Sequence, residues 1–191
     1  LHSLLARGNY PSQNGTNVAR DFLEIPSQLQ EFWLLQPEVL QSLSRHCKTG
    51  KPLSLAEAKR AIDIQEFDHL HAGTMHNFWS LLDMKWYTTN PADIADADVL
   101  EDEVIAESGL DAVFPRLPGT NTSAAFDHIF GAYDYAANFY VYNFSRDLAQ
   151  QKIFNIFMEK GLYHQDTAQS LRDNVYAKGG NVKPEKIISA M

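Results

Sequence analysis

The chain has 191 residues, with 16 Lys and Arg against 24 Asp and Glu, a formal charge of −8. So acidic a chain does not bind nucleic acid through bulk charge, because phosphate contacts need clustered Lys and Arg. Its 45% apolar content is enough for a packed core, one cysteine (Cys47) rules out a disulfide framework and a four-cysteine zinc site, and no apolar run reaches the ~18 residues of a membrane span.

In chain order, residues 1–7 read as a helix already in progress, so the chain is expected to be cut open at its N-terminus. That helix stops at Gly8, and 9–15 is a turn-rich loop. From Val18, the apolar residues Phe22, Ile25, Leu29, Phe32 and Trp33 recur at helical steps, and Pro26 predicts a kink or restart. A segment opened by Pro37 runs to near Cys47, which is expected to be buried, and 49–52 is a turn. Ser54 and Glu57 form a capping box for a helix running to about Tyr87, with Gly73 as a place for a break. The acidic stretch 93–107 lacks the central glycine of a calcium loop and reads as a solvated helix face. Pro115, Pro118 and Gly119 mark a loop over 109–122. A long helix is predicted from Tyr135 to Lys160, the next is capped at Asp166 and ends at Gly179-Gly180, and Pro184 suits the first turn of another. The expected fold class is mainly α.

The seven histidines include no His-Glu-x-x-His. His69 and His71 would point about 200° apart on a helix, and His46 beside Cys47 has no partner spacing, so helix packing or surface is the reading for each. No nucleophile elbow or phosphate loop is present. One region stands out: between Phe126 and Phe144 lie eight of the chain's 22 aromatic residues. On a helix Tyr135, Phe139 and Tyr142 would form one stripe, with His128 seven residues ahead of it. Two phenols and an imidazole on one wall suit hydrogen bonding to a developing oxyanion. By residue type alone, an aromatic packing stripe is the simpler reading.

Three segments add a resemblance. Residues 15–28, Gly-Thr followed by Asp21-Phe22-Leu23-Glu24-Ile25-Pro26-Ser27-Gln28, resemble the Gly-Thr…Asp-Phe-x-Glu-x-Pro-Ser-Gln segment of the thimet oligopeptidase family of zinc metallopeptidases. His46-Cys47-Lys48-Thr49-Gly50-Lys51-Pro52-Leu53 resembles its His-Tyr-x-Thr-Gly-x-Pro-Leu. Phe126-Asp127-His128-Ile129-Phe130-Gly131, with Tyr135-Ala136-Ala137-Asn138-Phe139-Tyr140-Val141-Tyr142 after it, resembles its histidine-then-tyrosine block. The order matches along essentially the whole chain.

The resemblance implies a neurolysin-like helical fold with a deep substrate channel, of which residues 1–191 are the C-terminal part of the catalytic domain. Leu1-His2 resembles the last two residues of the family's zinc helix, His-Glu-Phe-Gly-His-Ala-Leu-His. By that match the two zinc histidines and the catalytic glutamate lie upstream, outside this chain, and His2 is not a ligand. Glu24 matches the third zinc ligand, with Asp21 as an orienting residue beside it. His128, Tyr135 and Tyr142 match the transition-state groups, and Gly131, Phe139 and Tyr140 the substrate contacts. Where the family has Gly-Gly, this chain has Gly131-Ala132-Tyr133-Asp134. An ungapped register would select Tyr133 and Tyr140 instead; the gapped one also aligns Ala136, Ala137 and Tyr140. Phe139 replaces a tyrosine and so lacks one hydroxyl.

The implied activity is zinc-dependent hydrolysis of short peptides, as a metalloendopeptidase or peptidyl-dipeptidase, with one Zn(2+) per intact parent chain and the 191 residues inactive by themselves. The implied protein is a cytoplasmic monomer without nucleic-acid or membrane partners. The competing readings are a catalytically dead module of the same fold and an unrelated helical binding domain with an aromatic face.

Overall fold

In a computed structural model, residues 1–112 and 116–190 are described; Pro115 of the expected loop lies outside them. Every regular element among the described residues is helical, as the periodicity predicts. Two compact units emerge, one from residues 1–67 and 144–191, the other from 68–143.

In the first unit, α1 (His2–Leu5) leads through a loop to α2 (Arg20–Leu23) and α3 (Ile25–Leu34). Glu24 sits between these two helices at φ −90°, ψ 0°, and Pro26 occupies the first turn of α3. The expected restart therefore falls just ahead of the proline, where its missing N–H costs nothing. Phe22, Ile25, Leu29 and Phe32 turn inward onto Ile153, Phe154, Phe157, Leu171 and Val175. Burial of such a side chain contributes roughly 1.5–3 kcal/mol. Trp33 closes this core edge-on to Phe154 and Phe157 and donates its indole N–H to Leu162 O at 3.0 Å.

The helix α4 (Pro37–Leu43) ends before Cys47, which is exposed and not buried as its residue type suggested. Here the chain forms a tight turn whose backbone hydrogen bonds to its own histidine. His46 Nδ1 accepts the N–H groups of Lys48 and Thr49, and His46 N donates to Lys51 O. Such a tight turn has no inside in which to hide a thiol. The capping box forms as expected: Ser54 N donates to Glu57 Oε2 at 2.8 Å and Glu57 N donates back to Ser54 Oγ at 3.3 Å. It starts α5 (Leu55–Thr88), which runs through Gly73 without a break.

The second unit packs the last turns of α5 against α6 (Ala97–Ser108) through Phe78, Leu82, Leu100, Val104 and Ile105. Asp96 caps α6 by accepting the Asp98 N–H at 2.7 Å. Most of the acidic stretch is solvated, with Arg116 paired to Asp98 and Asp102, and Lys85 to Glu103 and Glu107. Glu101 departs from that expectation, because it is fully buried. Its carboxylate accepts the Thr122 and Ser123 N–H groups at 2.9 and 2.8 Å, capping the short helix α7 (Thr122–Ala125). A buried carboxylate is tolerable when charge-assisted bonds of this kind satisfy it.

The long helix expected from Tyr135 begins instead at Val141. It runs as α8 (Val141–Ala149), a π-helical turn (Gln150–Phe154) and α9 (Asn155–Lys160). The cap of α10 (Gln165–Ser170) is His164, not Asp166: His164 Nδ1 accepts the Thr167 N–H at 3.3 Å. Gly179 and Gly180 lie where the chain passes the 13–17 loop. A Cβ on Gly179 would stand 2.4 Å from Gln13 O, and one on Gly180 would stand 2.2 Å from Asn17 O. Gly179 also adopts φ 52°, so the pair is required by conformation and by space. Pro184 opens α11 (Pro184–Ile188), as expected.

Candidate active site

In the first unit Glu24 is half-buried at the junction of α2 and α3. Ser27 Oγ donates to Glu24 Oε2 at 2.6 Å and lies 2.9 Å from Glu24 O, so the hydroxyl fixes the carboxylate to its own helix start. Glu24 lines a cavity of about 430 Å³ with His2, Ser3, Ser27 and Gln30. The His2 imidazole is buried against Phe22 and donates from Nε2 to Leu23 O at 3.0 Å, next to Glu24 in sequence. Burial pushes its pKa below the ordinary histidine value, and the Leu23 bond opposes the shift only in part. With Nε2 as donor, Nδ1 is the bare nitrogen, and it has no hydrogen-bond partner among the described residues. Asp21 contributes its backbone carbonyl, which accepts from the buried Ser145 Oγ at 3.0 Å.

A carboxylate oriented by a neighbouring hydroxyl on a cavity wall fits one corner of a zinc site. It is not a whole site, since no group of three or more His, Cys, Asp or Glu capable of holding a metal occurs among the described residues.

In the second unit the aromatic block does not form a helical stripe. Tyr135 lies in a 3-10 turn (Tyr133–Tyr135), Phe139 lies in the turn before α8, and only Tyr142 is in the helix. The three are nonetheless brought together, because each packs on His128. Their ring centroids stand 4.6 Å (Tyr135), 5.4 Å (Phe139) and 5.7 Å (Tyr142) from the imidazole. Tyr142 Oη and His128 Nε2 are hydrogen-bonded at 3.2 Å. Tyr135 is 38% exposed, whereas Phe139 is 6% exposed, walled by Phe126, Trp79, His76 and Tyr142. Tyr133, the ungapped alternative, is 98% exposed, and Tyr140 is exposed too. Gly131 is also exposed, and a Cβ there would approach Asp127 O at 3.2 Å.

The loop carrying His128 is held by one face of α5. Asp83, Trp86 and Tyr87 stand at i, i+3 and i+4 and so share that face. Asp83 accepts the N–H groups of Ala137 (3.0 Å) and Phe139 (2.8 Å). Trp86 Nε1 donates to Ser123 Oγ at 2.9 Å, and Tyr87 Oη donates to Ile129 O at 2.6 Å. Reasoning from residue order misses Asp83, Trp86, Tyr87 and Glu101 as site supports. The one available signal is the i, i+3, i+4 spacing of three polar-tipped side chains on a single helix face.

The model of peptidase family M3 matches residues 1–191, the entire chain. The dipeptidyl carboxypeptidase of Salmonella typhimurium is 33% identical over 192 residues, covering 100% of this chain and 28% of its own length. Oligopeptidase A of Escherichia coli is 31% identical, with 96% of this chain and 27% of its own length covered. The thimet-like oligopeptidase of Dictyostelium discoideum is 31% identical, at 95% and 26%. The chain thus spans about a quarter of the length of these curated relatives. A match in order over all 191 residues sets aside the unrelated helical binding domain.

Proposed function

The chain belongs to peptidase family M3, and from that premise we propose that it is the C-terminal part of the catalytic region of a zinc-dependent peptidase acting on short peptides. The observation that carries this reading is the convergence of His128, Tyr135 and Tyr142 from three separate local structures. Packing alone would not require a phenol and an imidazole to share a hydrogen bond, whereas oxyanion stabilisation requires oriented polar donors.

Glu24 is the residue of this chain that would hold zinc, with Ser27 keeping its carboxylate in place. The remaining ligands and the general base belong to sequence upstream of Leu1. Zinc, when bound, supplies a Lewis acid for the scissile carbonyl and for the attacking water. Tyr142 and Tyr135 donate hydrogen bonds to the carbonyl oxygen as it gains charge, each contributing roughly 3 kcal/mol. His128 orients Tyr142: with its proton on Nε2 it donates to the phenol oxygen, and the phenol proton is then not consumed in that bond. Phe139, which has no hydroxyl, supports the two neighbouring rings by packing. Gly131 and Tyr140 are exposed, where a peptide backbone can reach them.

The relatives' names include both a dipeptidyl carboxypeptidase and oligopeptidases. Quenched fluorescent peptides with free or amidated C-termini sort these specificities in the full-length protein. Hydrolysis lost on chelation and restored by zinc is the expected result. Full-length protein that carries zinc but leaves every peptide intact would favour the catalytically dead module. The 191 residues alone should show no turnover, because one carboxylate does not retain zinc.

A further inference from the structure

Asp83 is fully buried, and its two carboxylate oxygens are each taken up by a backbone N–H of one turn, Ala137 on Oδ1 and Phe139 on Oδ2. A carboxylate so placed is a costly way to fill a core and persists only when its acceptors are satisfied. The turn it grips is strained: Ala137 stands at φ 54°, the one left-handed residue other than glycine among the described residues. A Cβ disfavours that conformation, so surrounding bonds must enforce it. The turn leads directly into the candidate oxyanion site. The Phe139 ring lies 5.4 Å from His128 and 5.2 Å from Tyr142, and Phe139 O accepts the Tyr142 N–H at 3.3 Å as α8 begins. The Phe139 backbone therefore sets both the ring against which the pair packs and the point from which Tyr142 enters its helix.

We propose that Asp83 is a positioning residue for the His128–Tyr142 pair, acting by clamping the left-handed Ala137–Phe139 turn; the proposal rests on the oxyanion-donor reading of that pair. Its chemistry is electrostatic only. The carboxylate touches no substrate and transfers no proton, and it orders two N–H donors that fix the turn.

The test uses the full-length protein. Asp83→Asn keeps the shape but turns one acceptor into an NH₂ facing an N–H. Expected is a fall in kcat of at least tenfold in the folded variant, with KM and zinc content little changed. Adding Ala137→Gly should recover most of that loss, because glycine adopts the left-handed turn without a clamp. A kcat within twofold of wild type while Tyr142→Phe is impaired would overturn the proposal and leave the peptidase reading standing; so would a loss that Ala137→Gly does not lift. Hydrogen exchange in the wild-type protein is a readout that needs no variant. The Ala137 and Phe139 amides should be protected like core amides, and fast exchange at both would overturn the clamp even if Asp83→Asn did not fold. Absence of peptide hydrolysis by the wild type would sink the peptidase reading, and the amide exchange would still decide whether the clamp exists.

Discussion

The Tyr142 hydroxyl lies 3.2 Å from Nε2 of His128, and the two reach each other from different local structures: a helix for the tyrosine, a 3-10 turn for the histidine. Two side chains bonded in this way act as one unit, so their removal should not be additive. In the full-length protein, Tyr142→Phe should lower kcat by about 10²–10³ with zinc retained. The double variant with His128→Gln should fall by less than the product of the single losses. Steady-state kinetics beside metal analysis checks this, and an unchanged kcat in Tyr142→Phe would remove the catalytic role of the pair.

Glu24 and Ser27 make a second test, one that is read in metal content. Glu24→Gln removes the negative charge a divalent cation needs, so zinc occupancy should collapse. Ser27→Ala leaves the carboxylate but frees its rotation, and a loss of about tenfold in zinc affinity is expected. Chelator competition with atomic emission as the readout measures both. Equal zinc content in wild type and Glu24→Gln would show that the ligand lies elsewhere.

His2 gives a pH dependence of stability. Burial depresses its folded pKa, so below the ordinary histidine range the unfolded chain binds the proton more readily than the folded one. The stability contribution is therefore complete above the unfolded pKa, about 6.5, and is lost as the pH falls through the lower folded value. In the metal-free full-length protein, denaturant midpoints should hold above the ordinary histidine pKa and decline as the pH falls below it. His2→Phe, which keeps a ring beside Phe22 but cannot titrate, should flatten that decline.

Tyr176 carries a hydroxyl buried without a hydrogen-bond partner among the described residues. Burial pushes its pKa up to about 12; Gln30 approaches the hydroxyl and offsets part of that shift without meeting bonding geometry. An unsatisfied buried hydroxyl costs about 1–3 kcal/mol. Tyr176→Phe should therefore hold or raise the unfolding free energy, by up to about 1 kcal/mol in urea denaturation, against the usual direction of a core substitution. A drop of similar size would mean that a bound water satisfies the hydroxyl.

Features set by neighbours in the chain are legible in the amino-acid order. The Ser54–Glu57 box, the restart ahead of Pro26 and the start at Pro184 depend on contacts within a turn or two, and the recurrence of Phe22, Ile25, Leu29 and Phe32 at helical steps marks the face that goes inward, though not what it packs on. The resemblance carries the identity of the aromatic block, yet Tyr135 and Phe139 do not join the helical stripe that their spacing suggests. Helical spacing says nothing about a turn held by a carboxylate 54 and 56 residues away. Glu101 has the sequence setting of its exposed neighbours and is buried because α7 brings two unpaired N–H groups to it. His164 displaces Asp166 as a cap because the helix begins one residue before the aspartate.

The order of residues by itself determined a mainly α chain, the helix starts at Pro37, Ser54 and Pro184, and the residue types able to bind a metal or steady an oxyanion, since propensity and capping are local. Only the tertiary structure decided that His128, Tyr135 and Tyr142 meet, that Tyr133 stands out in solvent, and that Asp83 holds the turn between them. Those outcomes depend on which distant groups satisfy a buried charge or backbone donor, and that is settled only when the chain has packed.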